Sequence, residues 1–146
     1  MTPNVRRIEP RDEPRWRELF DAYTRFYERE PDEPVTRHTW QRMLDAGSPL
    51  FGIVAEHQGQ VVGIANCVMH ENTATIAPVC YLQDLFVDPK TRANGVGKAM
   101  IDWLVAEMKS RGWARLYWMT RHDNPARKLY DRFGPADGFV RYRLTL

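Results

Sequence analysis

The chain has 146 residues, of which 43% are hydrophobic and 27% are charged, the proportions of an ordinary globular protein. This length suits one hydrophobic core and disfavours two, so residues 1–146 are predicted to form a single domain. The 21 basic and 19 acidic side chains are spread along the chain and leave a net charge of only +2, which argues against a nucleic-acid partner.

The first part of the chain predicts one short strand followed by two helices. Residues 4–9 have the character of a strand, and Asp12 and Pro14 then supply the capping and first-turn signals of a helix. Apolar side chains recur in this helix every three or four residues and form one buried stripe, which consists of Trp16, Leu19, Phe20, Tyr23 and Tyr27. A shorter helix is predicted from about residue 36 to a stop at Gly47.

Three strands and the clearest helix follow. Residues 50–56 and 60–70 are rich in β-branched and other apolar side chains, and Gln58-Gly59 between them is typical of a tight hairpin turn. Residues 79–87 predict a third strand. Residues 95–111 show the most regular helical spacing in the chain.

The remaining residues predict strand, helix and strand. Residues 116–119 form a short apolar run, as in a strand that is covered on both faces, and residues 139–146 alternate as in a last strand. Between them a final helix is marked by Ala126, Leu129, Tyr130 and Phe133. This order predicts an α/β (α+β) fold, with a mixed central sheet of about six or seven strands flanked by about four helices.

Other site classes find no support in the sequence. Cys67 and Cys80 lie in apolar, strand-like runs, where a cysteine behaves as a small buried hydrophobe more often than as a nucleophile or metal ligand. The four histidines lack the pair spacing of metal ligands, so we expect no metal. No apolar stretch approaches the roughly 20 residues that span a bilayer, and residues 1–15 lack the apolar centre of a signal peptide. We therefore expect a cytoplasmic protein without a membrane partner.

A glycine-containing segment between the third strand and the strongest helix is the main chemical motif. It reads Arg92-Ala93-Asn94-Gly95-Val96-Gly97-Lys98. The first turn of a helix has up to four unpaired N–H groups and about half a positive charge, and glycine lets a bulky anion approach that backbone. The segment therefore predicts a pyrophosphate site, although it also fits a turn that merely begins a helix. Neither the dinucleotide-binding nor the P-loop spacing is present, which disfavours nucleotide hydrolysis.

The strand before this loop and the helix after it carry a more specific pattern. Residues 81–87 read Tyr-Leu-Gln-Asp-Leu-Phe-Val and lead into Arg92-x-x-Gly95-x-Gly97, while Ala126 precedes Leu129-Tyr130. These segments resemble the acetyl-CoA signature and the A-x-x-L-Y segment of the GNAT superfamily of N-acetyltransferases. Residues 81–87 look most like the small polyamine and histone N-acetyltransferase branch. The order of strands and helices matches nearly the whole chain, so the resemblance implies a single-domain GNAT-like fold.

The resemblance also implies how acetyl-CoA, as co-substrate, would be held. Backbone groups of residues 85–87 would pair with the pantetheine arm as an added strand does, and the loop amides would hold the pyrophosphate. Further contacts would come from the start of the last helix, although Asp123 stands where the family commonly has Asn. The implied cofactor-binding residues are Leu85, Phe86, Val87, Arg92, Ala93, Asn94, Gly95, Val96, Gly97, Lys98, Asp123, Asn124 and Arg127.

Acetyl transfer to an amine requires a group that takes a proton. An alkyl ammonium has a pKa of about 10.4, so only about one molecule in 2,500 is neutral at pH 7. Gln83 stands where polyamine acetyltransferases tend to have Glu, and an amide cannot take the proton. Asp84 is the first choice for the general base, directly or through a water, with Glu71 and His122 as alternatives. Asp84 equally fits a strand carboxylate with a structural partner.

Tyr130 is implied to face the thioester sulfur. A tyrosine of pKa about 10 gives its proton to a thiolate of pKa about 8.5 at a cost of roughly 2 kcal/mol. A hydrogen bond to the developing charge is therefore sufficient, and full proton transfer needs a lowered pKa. By spacing alone, Tyr130 also fits a core position beside Leu129 and Phe133.

The expected function is direct acetyl transfer from acetyl-CoA to a primary amine through a ternary complex, the acceptor being a small amine, a polyamine or a lysine side chain. An amino-acid or antibiotic amine is the second acceptor class. A non-catalytic acyl-CoA sensor is the alternative outside enzymes, because Gln83 is not a carboxylate. Many relatives pair through their last strands and helices, which implies a homodimer. An acidic cluster between the first two helices fits a solvated connection better than a polycation site, and it consists of Glu28, Glu30, Asp32 and Glu33.

Overall fold

One mixed β-sheet organises the chain. The computed structural model describes residues 2–91 and 94–146. The strands in these residues are β1 (Asn4–Arg7), β2 (Leu50–His57), β3 (Gln60–His70), β4 (Val79–Val87) and β5 (Arg115–Tyr117). They lie in the sheet in chain order, with every neighbouring pair antiparallel except β4 and β5, which are parallel. The predicted α/β class and the mixed sheet are confirmed.

The helices flank this sheet. In the described ranges they are α1 (Glu13–Phe26), α2 (Glu33–Leu44), α3 (Val96–Arg111) and the single turn α4 (Arg127–Tyr130), which confirms the expected four. The start of α2 was predicted too late, because Pro34 occupies its first turn and the Asp32 carboxylate accepts a hydrogen bond from the Val35 amide at 3.3 Å. None of the described helices has the length and apolar character that crossing a bilayer requires.

Two hydrophobic clusters fill the space on the two faces of the sheet. On one face α1 and α2 pack against β2, β3 and β4, through Trp16, Leu19, Tyr23, Trp40, Met43, Val54, Ile64 and Phe86. On the other face α3 packs through Val96, Met100, Ile101 and Leu104, against a set that includes Ile53, Cys67, Cys80 and Leu82. Cys67 and Cys80 are fully buried, as predicted.

Strand β4 carries a β-bulge at Gln83. Cys67 lies opposite Leu82 and Asn66 lies opposite Asp84, so Gln83 is the extra residue. If Gln83 were paired as in a regular strand, without the bulge, strict alternation would put Asp84 on the same face as Leu82, against α3. The bulge turns the second half of β4 over, and Phe86 accordingly packs in the α1 cluster while Leu82 packs in the α3 cluster. Asp84 therefore faces α1.

The last predicted strand does not form. Residues 139–146 have the alternation of a strand but no strand assignment, so the described sheet has five strands, one fewer than the lower limit predicted. A strand needs the hydrogen-bonding groups of a neighbour, and alternation alone does not supply one. The large apolar side chains of this segment are exposed, and they are Phe139, Val140, Tyr142, Leu144 and Leu146.

Candidate active site

A cleft opens where β4 and β5 separate. The pairing of these parallel strands covers Val79–Tyr81 with Arg115–Tyr117. Beyond it lies a cleft lined by Tyr23, Tyr27, Leu82, Gln83, Leu85, Trp118, Met119, Thr120 and Tyr130. The crevice at the carboxyl ends of parallel strands is the usual ligand site of open α/β sheets. The cleft brings together two predicted catalytic residues, Gln83 and Tyr130, and the third, Asp84, follows Gln83 in the strand.

Asp84 is held beside this cleft by hydrogen bonds from the α1 face. The Asn66 side-chain amide donates to Asp84 Oδ2 at 3.0 Å. The Tyr23 hydroxyl is a second donor to the Asp84 carboxylate, and the Tyr23 ring also lines the cleft. Burial raises the pKa of Asp84 above its ordinary value, although the hydrogen bonds from Asn66 and Tyr23 and the charge of Arg29 oppose this rise. A carboxyl group with a raised pKa is a better proton acceptor than an exposed one.

Tyr130 lies on α4 at another wall of the cleft. Its ring packs edge-on against Trp118, with 5.7 Å between the ring centroids. Burial, with a smaller contribution from Tyr27, raises the pKa of Tyr130 to about 12. The phenol therefore keeps its proton at neutral pH and can donate a hydrogen bond into the cleft.

The N-terminus of α3 is open to an anion. Gly95 is its N-cap residue, with a φ of 74° that favours glycine, and a side chain built there would meet nothing within 4 Å. The first intrahelical hydrogen bond runs from the Ala99 amide to the Gly95 carbonyl at 3.0 Å, which leaves the amides of the first turn without a helical acceptor. This arrangement fits a pyrophosphate. Arg92 and Ala93 lie outside the described residues.

Other members of the predicted loop have partners within the fold. Lys98 is paired with Asp102 at 2.6 Å, and the Asn94 side-chain amide donates to the Thr91 carbonyl at 3.1 Å. A Cβ at Gly97 would lie 3.2 Å from Leu129, so glycine here allows α4 to pack closely on the start of α3. The predicted phosphate loop and the Tyr130 helix are thus in direct contact.

The residues before α4 are tied to that helix. Asn124 accepts a hydrogen bond from the Ala126 amide at 2.9 Å and donates one to Thr120 at 2.8 Å. Arg127 donates to the carbonyl of residue 122 at 2.8 Å, while the carboxylate of Asp123 lies 3.8 Å from Arg121. In this structure these side chains hold the start of α4 in place.

The strand residues predicted for the pantetheine arm face both layers. Leu85 and Val87 pack at the edge of the α3 cluster, and the Phe86 ring is buried in the α1 cluster. Leu85 also lines the cleft. Of the alternative bases, Glu71 and His122 are exposed, and neither is among the residues lining the cleft.

Two residues of the site were missed from the sequence. Tyr23 was interpreted only as part of the α1 stripe, and Asn66 was not singled out. A signal for Asn66 exists, because it is the one polar side chain in the apolar run of residues 61–69. Such a residue in a buried strand needs a hydrogen-bonding partner. Among the described residues no three His, Cys, Asp or Glu side chains group as metal ligands.

Comparisons with known proteins agree with this geometry. The acetyltransferase (GNAT) family model matches residues 15–134. The D-amino-acid N-acetyltransferase HPA3 of Saccharomyces cerevisiae is 30% identical over 142 residues, covering 95% of this chain and 88% of that protein.

Solved structures share the fold at low sequence identity. The ribosomal-protein-alanine N-acetyltransferase of Brucella melitensis biovar Abortus superposes with a TM-score of 0.84 at 22% identity, over 100% of both chains. The aminoglycoside N-acetyltransferase AAC(6')-Iy, solved in complex with CoA, has a TM-score of 0.79 at 20% identity, over 99% of this chain and 95% of that one. With the family model and the yeast relative, these similarities show that the chain belongs to the GNAT family and is an N-acetyltransferase.

Proposed function

We propose that the chain transfers the acetyl group of acetyl-CoA directly to a primary amine, in a ternary complex, with a small amine, a polyamine or a lysine side chain as acceptor. One observation carries this proposal: the cleft at the open ends of β4 and β5 is lined by the protonated phenol Tyr130 and by Tyr23, and Tyr23 is hydrogen-bonded to the half-buried carboxyl group of Asp84. The cleft therefore has a proton acceptor for the amine and a hydrogen-bond donor for the leaving group.

Acetyl-CoA, when bound, supplies the activated acyl thioester. Backbone groups of residues 85–87 would hold its pantetheine arm, and the amides of residues 94–98, with Arg92 and Ala93, would hold its pyrophosphate. Asp123, Asn124 and Arg127 would add contacts at the start of α4. The open space at Gly95, at the start of the sixteen-residue α3, supports this assignment.

The side chains in and beside the cleft then have separate roles in the reaction. Asp84 takes a proton from the acceptor ammonium, directly or through a water, and Tyr23 lies between Asp84 and the cleft as its hydrogen-bonding partner and a lining residue. The neutral nitrogen forms a bond to the acyl carbon as the carbon–sulfur bond breaks, and the proton that this nitrogen then loses ends on the departing thiolate, which gives the amide and the free thiol of CoA. Tyr130 donates a hydrogen bond to the departing sulfur, because transfer of its proton from a pKa of about 12 to a thiolate of about 8.5 would cost about 5 kcal/mol. The Gln83 amide lines the cleft and can orient the amine.

An amino-acid acceptor is the second candidate. Burial raises the pKa values of both Asp84 and Tyr23, and the positive charge of Arg29 lies close enough to oppose part of this rise. A cation beside a carboxylate matches the carboxylate and ammonium groups of an amino acid, and the yeast relative is named for that substrate class.

An acceptor panel tests both candidates. Thiol release from acetyl-CoA is followed with spermidine, a histone-tail peptide, D- and L-amino acids and an aminoglycoside. The proposal expects turnover that depends on the acceptor, and a preference for amino acids would favour the second candidate. Binding of acetyl-CoA without turnover on any amine would instead favour the acyl-CoA sensor.

The phosphate loop gives a separate prediction. Arg92→Ala combined with Gly95→Pro should raise the acetyl-CoA Kd by ~10-fold or more, since proline cannot adopt the positive φ at Gly95 and one cation is lost. Isothermal titration calorimetry measures the affinity. Gly112→Pro is the matched control, because Gly112 has the same φ of 74° at the other end of α3. It should lower thermal stability and leave the Kd unchanged; an unchanged Kd in the loop variant would make the loop an ordinary helix start.

We also propose that the chain forms a homodimer through residues 139–146. Tyr142 and Leu144 are 93% and 102% exposed, and such side chains in a strand pattern gain stability when a second copy covers them. Light scattering should give twice the chain mass of 17.1 kDa. Tyr142→Ser with Leu144→Ser should yield the monomer, while Ile76→Ser, at an exposed apolar residue in the β3–β4 connection, should remain dimeric. A monomeric unmodified chain would contradict this proposal.

A further inference from the structure

A buried polar chain links α1 to the proposed base. Asn66 lies in the middle of β3 and is only 5% exposed, with the fully buried Trp16 above it. The Trp16 indole Nε1–H donates to Asn66 Oδ1 at 3.0 Å, and Asn66 Nδ2 donates to Asp84 Oδ2 at 3.0 Å. One helix and two strands thus meet in a single line of hydrogen bonds.

The chemistry of Trp16 fixes the direction of this chain. An indole N–H can only donate, so the amide oxygen of Asn66 must face Trp16 and the amide NH2 must face Asp84. A flipped amide would place two donors against each other and leave the Asp84 oxygen facing an acceptor. The amide nitrogen in turn cannot accept, so the hydrogen bond at Asp84 favours the ionised carboxylate.

We propose that Asn66, oriented by Trp16, is a positioning residue that aims the Asp84 carboxylate at the cleft and sets the pH range in which that carboxylate can take the acceptor proton. This inference rests on the proposed role of Asp84 as the base. It assigns a catalytic purpose to the Asn66 position, which the bulge at Gln83 brings opposite Asp84.

Other groups face Asp84 and would remain in an Asn66 variant. Tyr23 approaches from α1, and Arg29 approaches from the residues that follow α1. Tyr81 on β4 and Cys67 on β3 lie within electrostatic range. Tyr23 and Arg29 favour the charged form of Asp84, so losing Asn66 should weaken this support without abolishing it.

The test is the pH dependence of kcat/KM for the amine at saturating acetyl-CoA. Leucine has a similar volume to asparagine and no hydrogen-bonding group in its side chain, so Asn66→Leu removes one donor that favours ionised Asp84. The acid limb of the pH profile, where kcat/KM falls at low pH, should therefore move to higher pH by about 0.5 to 1 unit. The acetyl-CoA Kd should stay unchanged. Ile64→Val is the matched control, two residues away on the same face of β3; it should lower stability and leave the limb in place.

Trp16→Phe is the second variant, used also if Asn66→Leu does not fold. It removes the indole N–H and frees the amide to turn, so it should move the acid limb in the same direction by a smaller amount. An acid limb that stays at its original pH in the folded variants would overturn the role of Asn66.

Asp84→Asn separates this inference from the function it rests on. If Asp84→Asn loses activity while the acid limb of Asn66→Leu stays in place, only the positioning role of Asn66 is wrong. If Asp84→Asn keeps the original kcat/KM and acid limb, Asp84 is not the base and the role of Asn66 is overturned with it. Acceptor-dependent turnover in the unmodified chain would support acetyl transfer in either case.

Discussion

Replacing Asp84 with Asn should lower kcat/KM for the acceptor amine by ~10²- to 10⁴-fold at neutral pH, the range expected when a general base is lost. The amide keeps the shape of the side chain and can still accept the hydrogen bond from Asn66, but it cannot take a proton. Acetyl-CoA affinity should be unaffected. Steady-state rates over a range of pH, with the Kd from calorimetry, make the measurement.

Although Asp84→Asn should lose activity, its thermal stability relative to the unmodified chain should increase as the pH rises. Burial raises the pKa of Asp84 in the folded chain, so the folded state binds more protons than the unfolded state between the two pKa values. The contribution of Asp84 to stability is therefore present at low pH and is lost as the pH rises through this window. Relative to Asp84→Asn, the unmodified chain should lose Tm as the pH rises above about 4, the ordinary pKa of an aspartate. If Asp84→Asn were inactive because its fold is destabilised, its Tm would instead be lower than that of the unmodified chain at every pH.

Tyr130→Phe should lower kcat by ~10- to 10³-fold while retaining the fold and the acetyl-CoA affinity, because it removes one hydrogen bond to the developing charge on sulfur. Since the pKa of Tyr130 is about 12, the loss should be the same across the accessible pH range. Stopped-flow and steady-state rates from pH 6 to pH 9 test this. An unchanged kcat would remove Tyr130 from the mechanism, and a loss confined to one side of neutral pH would instead point to proton transfer by Tyr130.

Regular, local patterns made much of the fold predictable. The β2–β3 hairpin turns at Gln58-Gly59, both with positive φ, as that dipeptide predicts, and β4 has the predicted bounds. Helix α3 begins one residue later than predicted and ends at the predicted residue. These elements depend on hydrophobic periodicity and on turn-forming residues, and both can be recognised from residues that are close together in the sequence.

The parts that were missed depend on distant residues. Asn66 is 50 positions from Trp16 and 18 positions from Asp84 in the sequence, and no local sequence pattern predicts hydrogen bonds between residues so far apart. For residues 139–146 the error is the reverse, because a local pattern predicted a strand that does not form. Their alternation is clear, yet they pair with no strand of the described sheet. Sequence patterns thus indicate which residues can form a strand, whereas the neighbouring strands decide whether they do.

The bulge at Gln83 has a consequence for how this segment can vary. The bulged pairing, and not the Gln83 side chain, keeps Asp84 facing α1 while the extra residue stands in the strand. Deletion of Gln83 would make Leu82 and Asp84 consecutive opposite Cys67 and Asn66, so regular alternation would still turn the carboxylate towards α1. A relative that lacks this residue would therefore keep the carboxylate facing α1 and lose only the side chain that Gln83 adds to the cleft. A relative that keeps the residue but pairs it as a regular strand would instead turn the carboxylate into the apolar layer against α3.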